Sequence, residues 1–181
     1  MKPIFTDLET ERLILKNISP DDRDFIFRQF SDEAVCRFLF DAEPLTEIGG
    51  ADKIIESYLQ PEPRTHCRWI LIEKNGGEKI GTCGFHRWNA WESYCEAGYD
   101  LFPDFWGRGY MTEAMREAIR FARAEMLIKT IGAVIYPDNL KSVRLAEKLG
   151  FVHKGETKDE IFRGETYEHK IYTLDIKERV K

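Results

Sequence analysis

The spacing of apolar residues changes along the chain, and the changes mark its elements. Arg12-Leu13-Ile14-Leu15-Lys16 reads as a first strand. Ser19-Pro20-Asp21-Asp22 then opens a helix: serine suits the cap, proline the first helical position, and the acids the positive end of the dipole. Phe25, Ile26 and Phe30, with Phe27 beside them, form its apolar face. A second helical period runs from about Glu47 to Leu59 on Ile48, Ala51, Ile54, Ile55 and Tyr58. Cys67 to Glu73 and Lys79 to Arg87 read as strands around the hairpin signal Asn75-Gly76-Gly77. Ser93 to Phe102 follows a turn near Asn89-Ala90, which predicts a three-stranded antiparallel meander.

After residue 102 the pattern becomes an alternation of strand and helix. Ala114, Met115, Ala118, Ile119 and Ala122 mark a helix from Gly107 to about Glu125. Lys129 to Tyr136 is a strand, and Asn139 to Leu149 a helix stopped by Gly150. Phe151 to Glu156 and Glu165 to Leu174 close the set. An antiparallel first half joined to a βαβα second half predicts an α+β fold: one domain over residues 1–181, with a mixed, mostly antiparallel sheet of about seven strands and helices on both faces.

Composition narrows the function. The chain has 181 residues, 43% hydrophobic and 33% charged, enough for one sizeable core. Lys+Arg 27 against Asp+Glu 32 leaves a net charge of −5, without a basic run, so no nucleic-acid partner is expected. No apolar stretch has the length of a bilayer crossing, and acids stand where a signal peptide would be apolar; a cytoplasmic address without a membrane partner is expected. Cys36, Cys67, Cys83 and Cys95 form no Cys-x-x-Cys pair. Cys83 and His86 have a Cys-x-x-His spacing, but free cysteines commonly fill strand interiors, and no metal is predicted.

Two stretches carry candidate chemistry. In Leu101-Phe102-Pro103-Asp104-Phe105-Trp106-Gly107-Arg108-Gly109-Tyr110-Met111-Thr112, a strand ends, two glycines bracket an arginine, and a helix begins. The free amides of a first helical turn make an anion site, to which Arg108 and the Thr112 hydroxyl add donors. A Walker loop is absent, and a dinucleotide fingerprint would need a third glycine where Thr112 stands; a helix start that binds nothing is the competing reading. In the second stretch, Tyr136-Pro137-Asp138-Asn139-Leu140-Lys141-Ser142, Asn139 and Ser142 share a face of the first helical turn, while Asp138 suits a turn or cap.

With Thr10-Glu11-Arg12-Leu13-Ile14-Leu15, Ile80-Gly81-Thr82-Cys83-Gly84-Phe85 and Glu96-Ala97-Gly98-Tyr99-Asp100-Leu101, these stretches resemble the GNAT N-acetyltransferase superfamily, in the order of its RimJ/RimL-type branch. The resemblance implies acetyl transfer from acetyl-CoA to an amine acceptor, a peptide N-terminus or a small amine, by direct attack through a tetrahedral intermediate. It implies that Gly107, Arg108, Gly109, Tyr110, Met111 and Thr112 hold the CoA pyrophosphate, and that Leu101, Phe102 and Asn139 meet the pantetheine arm. The family pattern has Gln or Arg where Asp104 stands. Many members have a tyrosine where Ala146 stands; in this branch the proposed acid is a serine, which matches Ser142, alone or through water. Phe38 to Phe40 and the second helix would form one wall of the acceptor site.

Amide formation requires a neutral amine, so a general base helps. Glu96 is the candidate, unless strand alternation leaves it an exposed carboxylate. A backbone N–H near Leu101 suits the oxyanion. His86, Arg87, Trp88 and Trp91 cluster at a strand end and loop, where His86 and Trp88 would line the acceptor mouth or a tryptophan would lid the core. Cys83 and Cys95 have no activator in sequence, which argues against an acetyl-cysteine route. A non-catalytic acyl-CoA sensor is the alternative, a nucleotide-dependent oxidoreductase a more distant one. A homodimer is the commonest symmetric assembly for such a chain.

Overall fold

The computed structural model describes residues 5–40, 42–61 and 64–176; residues 1–4 of the N-terminal stretch considered above lie outside them. A short strand β1 (Leu8–Glu9) precedes β2 (Leu13–Asn17). A 3-10 turn (Pro20–Asp22) leads into α1 (Arg23–Ser31), followed by α2 (Glu33–Cys36) and α3 (Gly49–Tyr58). The meander is β3 (Cys67–Glu73), β4 (Lys79–Asn89) and β5 (Tyr94–Leu101). Then come α4 (Tyr110–Ala124), β6 (Thr130–Ile135), α5 (Leu140–Leu149) and the long hairpin β7 (Val152–Phe162) and β8 (Glu165–Asp175). Among the described residues the sheet has eight strands, not seven, in the order β1-β2-β3-β4-β5-β6-β8-β7. The additional one is β1, too short to show a period in sequence.

Strand alternation divides the core between two faces. Leu13, Leu15, Trp69, Cys83, Phe85, Cys95 and Ala97 face α4, whose Ala114, Met115, Ala118 and Ala122 pack onto them. Ile70 faces the other way, toward Phe25 and Ile26 of α1 and Ala51 and Ile55 of α3. Close strand approach accounts for Gly84: a Cβ there would lie 2.1 Å from the Cys67 carbonyl oxygen.

Polar groups are also buried on the α1 side, which hydrophobic periodicity does not reveal. The Thr82 hydroxyl accepts from Arg68 Nε (2.9 Å) and Gln29 Nε2 (3.3 Å) and donates to Asp100 Oδ2 (3.4 Å), while Arg68 pairs with Asp100. Each donor directed at a buried acceptor removes a desolvation cost that would otherwise remain. No helix of the described residues is long and apolar enough to cross a membrane.

The opening Ser-Pro-Asp-Asp forms a capping box. Ser19 N and Oγ both donate to Asp22 Oδ2 at 2.8 Å, and Lys79 Nζ reaches Oδ1 at 2.6 Å, tying the start of α1 to the start of β4. Burial pushes the fully buried Asp22 carboxyl up, but the donors from Lys79 and Ser19 outweigh it and hold it below the usual carboxylate range. A depressed carboxylate contributes stability that is present above its unfolded pKa of about 4 and is lost as pH falls through the lower folded value. Asp22→Asn is therefore expected to cost about 1–3 kcal/mol at neutral pH and to flatten the decline in stability below about pH 4. Urea unfolding of both proteins across pH 2–7 measures this.

Candidate active site

The sheet opens between its two parallel strands. β5 and β6 pair through Tyr94↔Thr130, Cys95↔Ile131 and Glu96↔Gly132, where the register ends. β5 continues to Leu101 along β4, and β6 continues along β8. At the parting, Gly132 is required by space: a Cβ would lie 2.2 Å from the Tyr94 hydroxyl. Phe102 N donates to Ile80 O at 3.0 Å, so even-numbered residues of β5 turn their backbone groups toward β4. The N–H groups of Tyr99 and Leu101 consequently face the gap that β6 has left. Buried backbone donors of this kind call for a partner.

The loop after β5 is stitched back to the strand end by Trp106 Nε1, which donates to Leu101 O at 2.7 Å. Phe102 packs across both clusters of the core. Gly107 and Gly109 take φ of +75° and +83°, a region where a side chain is strained, and Gly109 is the N-cap of α4. The first helical bond of α4 runs from Glu113 N to Gly109 O at 3.0 Å. The N–H groups of Gly109, Tyr110, Met111 and Thr112 therefore have no acceptor within the helix. No side chain caps this end, so Asp104, exposed in the preceding 3-10 turn, is not the cap. The Tyr110 and Met111 side chains point into the core, leaving their amides and the half-buried Thr112 as the donors at the helix start; Arg108 is exposed beside them.

The opening strand motif holds this loop in place. Glu113 Oε1 accepts from Thr10 Oγ1 (2.6 Å) and Arg12 N (2.8 Å), and its Oε2 from Arg12 Nε (2.6 Å). Arg12 Nη1 also donates to the Arg108 carbonyl at 3.1 Å, and its guanidinium lies 4.5 Å from the Tyr110 ring centre. Burial pushes the Glu113 carboxyl up; the donors from Thr10 and Arg12 outweigh it and keep it below the ordinary carboxylate range. Thr10 and Arg12 belong to a segment legible as a strand, but their partner is a hundred residues away and had no signal in sequence.

Beyond the gap, Asn139 caps α5: its Oδ1 accepts from Ser142 N at 3.2 Å. The cap is thus Asn139 rather than Asp138, which is exposed. Ser142 Oγ stands 2.7 Å from the Tyr99 hydroxyl, a contact between α5 and β5 across the opening. Tyr99 was not singled out in sequence, although its odd position on β5 does put it on the α5 side. Ala146, one helical turn after Ser142, is buried in the core.

Glu96 lies at the last paired register on the opposite face of β5 and is 9% exposed, so it is not a solvated strand carboxylate. Its Oε1 accepts from Arg87 Nη1 (3.2 Å) and the Tyr94 hydroxyl (3.3 Å), and His86 Nε2 is 3.6 Å from Oε2. Arg87 has a φ of +53° at a bulge in β4, and this strained backbone brings its guanidinium to Glu96. His86 joins the cluster, but Trp88 does not: it packs edge-on to Phe5 at 5.9 Å against the main core, as a lid. Trp91 is 99% exposed at the loop tip. Phe38 and Phe40 lie in an aromatic cluster, with Phe40 stacked on Tyr167 at 4.3 Å and Phe38 6.2 Å from Tyr136, while α3 packs with α1. A cavity of about 400 Å³ next to it is lined by Tyr136, Pro137, Asp138, Glu165, Thr166, Tyr167 and Glu168.

All four cysteines are buried. Burial pushes the Cys67 thiol up to about 12 and raises Cys83 and Cys95 as well. Among the described residues no group of three or more His, Cys, Asp or Glu side chains is arranged to hold a metal ion.

The fold is shared with known proteins. Residues 12–152 match the acetyltransferase (GNAT) domain family. YoaA of Bacillus subtilis (strain 168), an uncharacterized N-acetyltransferase, is 32% identical over 174 residues, 94% of this chain and 97% of its own. The microcin C7 self-immunity acetyltransferase MccE, solved with acetyl-CoA and AMP, has a TM-score of 0.82 at 21% identity, covering 92% of this chain and 94% of MccE. Spermidine N-acetyltransferase from Vibrio cholerae, solved with CoA and spermine, has a TM-score of 0.80 at 17% identity, covering 92% and 96%. The chain belongs to the GNAT acetyltransferase family and is an N-acetyltransferase.

Proposed function

We propose that this enzyme transfers the acetyl group of acetyl-CoA to a primary amine, a peptide N-terminus or a cationic small molecule, in the manner of the RimJ/RimL-type branch. The observation that carries the reading is the gap between β5 and β6, with the donors of α4 at one end and Ser142 at the other. The amides of Gly109 to Thr112 suit a diphosphate, since they are unsatisfied and lie at the positive end of a 15-residue helix. The exposed backbone edge of Tyr99 and Leu101 suits the amide groups of a pantetheine arm, and Asn139 retains an amide nitrogen for the same purpose. Acetyl-CoA supplies the activated acyl group and a thiolate leaving group.

The chain's own residues do the remainder. Glu96 takes a proton from the incoming amine, directly or through water, while Arg87 and Tyr94 hold the carboxylate in place. The Leu101 N–H is directed at the gap and donates to the charge that develops on the acyl oxygen. Ser142 presents its hydroxyl to the departing sulfur, at the first turn of α5, where the helix dipole favours negative charge. His86 and the wall of Phe38, Phe40 and Tyr167 bound the acceptor side. Asp138, Glu165 and Glu168 on the neighbouring cavity favour an acceptor that arrives as a cation. Attack is direct, because the buried thiols of Cys83 and Cys95 are held in the neutral, unreactive form.

Three measurements test this. Thr112→Glu adds a negative charge at the helix start, where it suits the dipole but opposes a phosphate; it should leave thermal stability unchanged or slightly raised and weaken acetyl-CoA binding at least tenfold by calorimetry. Undiminished affinity overturns the phosphate assignment, as does a wild-type protein that binds no acetyl-CoA. Glu96→Gln should lower kcat roughly a hundredfold or more at unchanged acetyl-CoA affinity, with thiol release followed on a panel of peptide N-termini, polyamines, amino acids and aminoglycosides. Binding without turnover on any acceptor would favour the sensor reading. Finally, Cys67, Cys83 and Cys95 should resist a thiol reagent at pH 8 in the native protein and react only on unfolding, and no acetyl-enzyme should appear by mass spectrometry when acetyl-CoA is added alone.

A further inference from the structure

The structure assigns Tyr99 as the positioning residue for Ser142: its hydroxyl donates to Ser142 Oγ and leaves the serine proton free for the departing sulfur. The inference rests on the acetyl-transfer reading above and deepens it. A serine hydroxyl carries one proton and rotates about its bond to Cβ, so by itself it has no fixed direction. Tyr99 Oη lies 2.7 Å from Ser142 Oγ, and its other acceptor, the Ser142 carbonyl, is at 3.5 Å and weaker. Burial pushes the Tyr99 phenol up to about 12, against the opposing pull of the Ser142 hydrogen bond. The phenol stays protonated at neutral pH, as an ordinary phenol does, and at 2.7 Å either hydroxyl can be the donor; the arrangement inferred here has Tyr99 donating to Oγ. In that arrangement one lone pair of Oγ is taken, and the serine proton points elsewhere.

Two local features stabilise the electron density that Ser142 gains when it donates. One is the phenol hydrogen bond, the other the positive end of the ten-residue helix α5, whose first turn contains Ser142. Asn139 holds the backbone of the same residue through Ser142 N. Tyr99 is fixed in turn by its strand: it sits opposite Cys83 in the β4–β5 ladder and packs against the main core. The phenol gives up no proton in the reaction, and Ser142 supplies the hydrogen bond to the leaving thiolate, which takes its final proton from water.

The test is a double-mutant cycle of Tyr99→Phe and Ser142→Ala, preceded by thermal unfolding and acetyl-CoA calorimetry on each variant. Tyr99→Phe keeps the ring and should fold, bind acetyl-CoA within twofold of the wild type, and lose roughly tenfold in kcat, the size of one hydrogen bond. Ser142→Ala should lose as much or more, and the double variant should be no slower than Ser142→Ala. Tyr99→Phe with unchanged kcat overturns the inference. So does a tenfold loss that persists undiminished in the Ser142→Ala background, or a loss confined to acetyl-CoA affinity. If the wild type turns over no acceptor, the acetyl-transfer reading fails, and this inference fails with it; normal turnover with additive variants defeats this inference alone.

Discussion

The structure depends on the parting of β5 from β6. Each strand is committed to an antiparallel neighbour, β5 to β4 and β6 to β8, and the two meet only as far as Glu96↔Gly132. The right-handed twist of the two half-sheets can then separate them without breaking either ladder. What remains is a stretch of β5 whose backbone groups point into a gap inside the fold. Such an edge would be costly without a partner. Here it is flanked by features that make the gap specific: Trp106 tied to Leu101 O at one end, and Gly132 beneath the Tyr94 hydroxyl at the other.

Both helices that follow these strands begin at the same edge of the sheet, so their positive ends converge on the opening. Their starts are secured differently. That of α4 has no side-chain cap, which leaves its amides available, and the restraint comes from Glu113 bound to Thr10 and Arg12 just before β2. That of α5 is capped by Asn139, which fixes Ser142 in the first turn. One start keeps its amides open and the other is closed by its own Asn139 side chain.

Strand alternation separates two groups of polar side chains on β5. Tyr99 faces α5 and Ser142, whereas Glu96 faces the α1 side with Arg87, Tyr94 and His86. The pleat of β5 places the Tyr99 hydroxyl and the Glu96 carboxylate on opposite faces of the strand, three residues apart. Arg87, at positive φ before the β4–β5 turn, donates to this carboxylate, and backbone strain of that kind clusters at functional positions.

Much of this was legible in the sequence because it depends on local physics. The period of two in Cys67–Glu73, the Asn75-Gly76-Gly77 turn, the helical spacing from Ala114 to Ala122 and the Gly150 stop are recorded in neighbouring residues, and those elements formed within a few positions of where they were expected. The Gly107–Thr112 loop was equally visible, since glycine and an uncapped helix start are local. The strand β1, the contact of Thr10 and Arg12 with Glu113, the burial of Glu96, the removal of Trp88 to the core and the approach of Tyr99 to Ser142 were not. Each joins residues from different strands or helices, and the register that brings them together is set by the packing of the whole sheet. Composition and periodicity determined the longer elements; only the tertiary structure decided the short ones and which side chains meet, because a hydrogen bond depends on distances that no single segment contains.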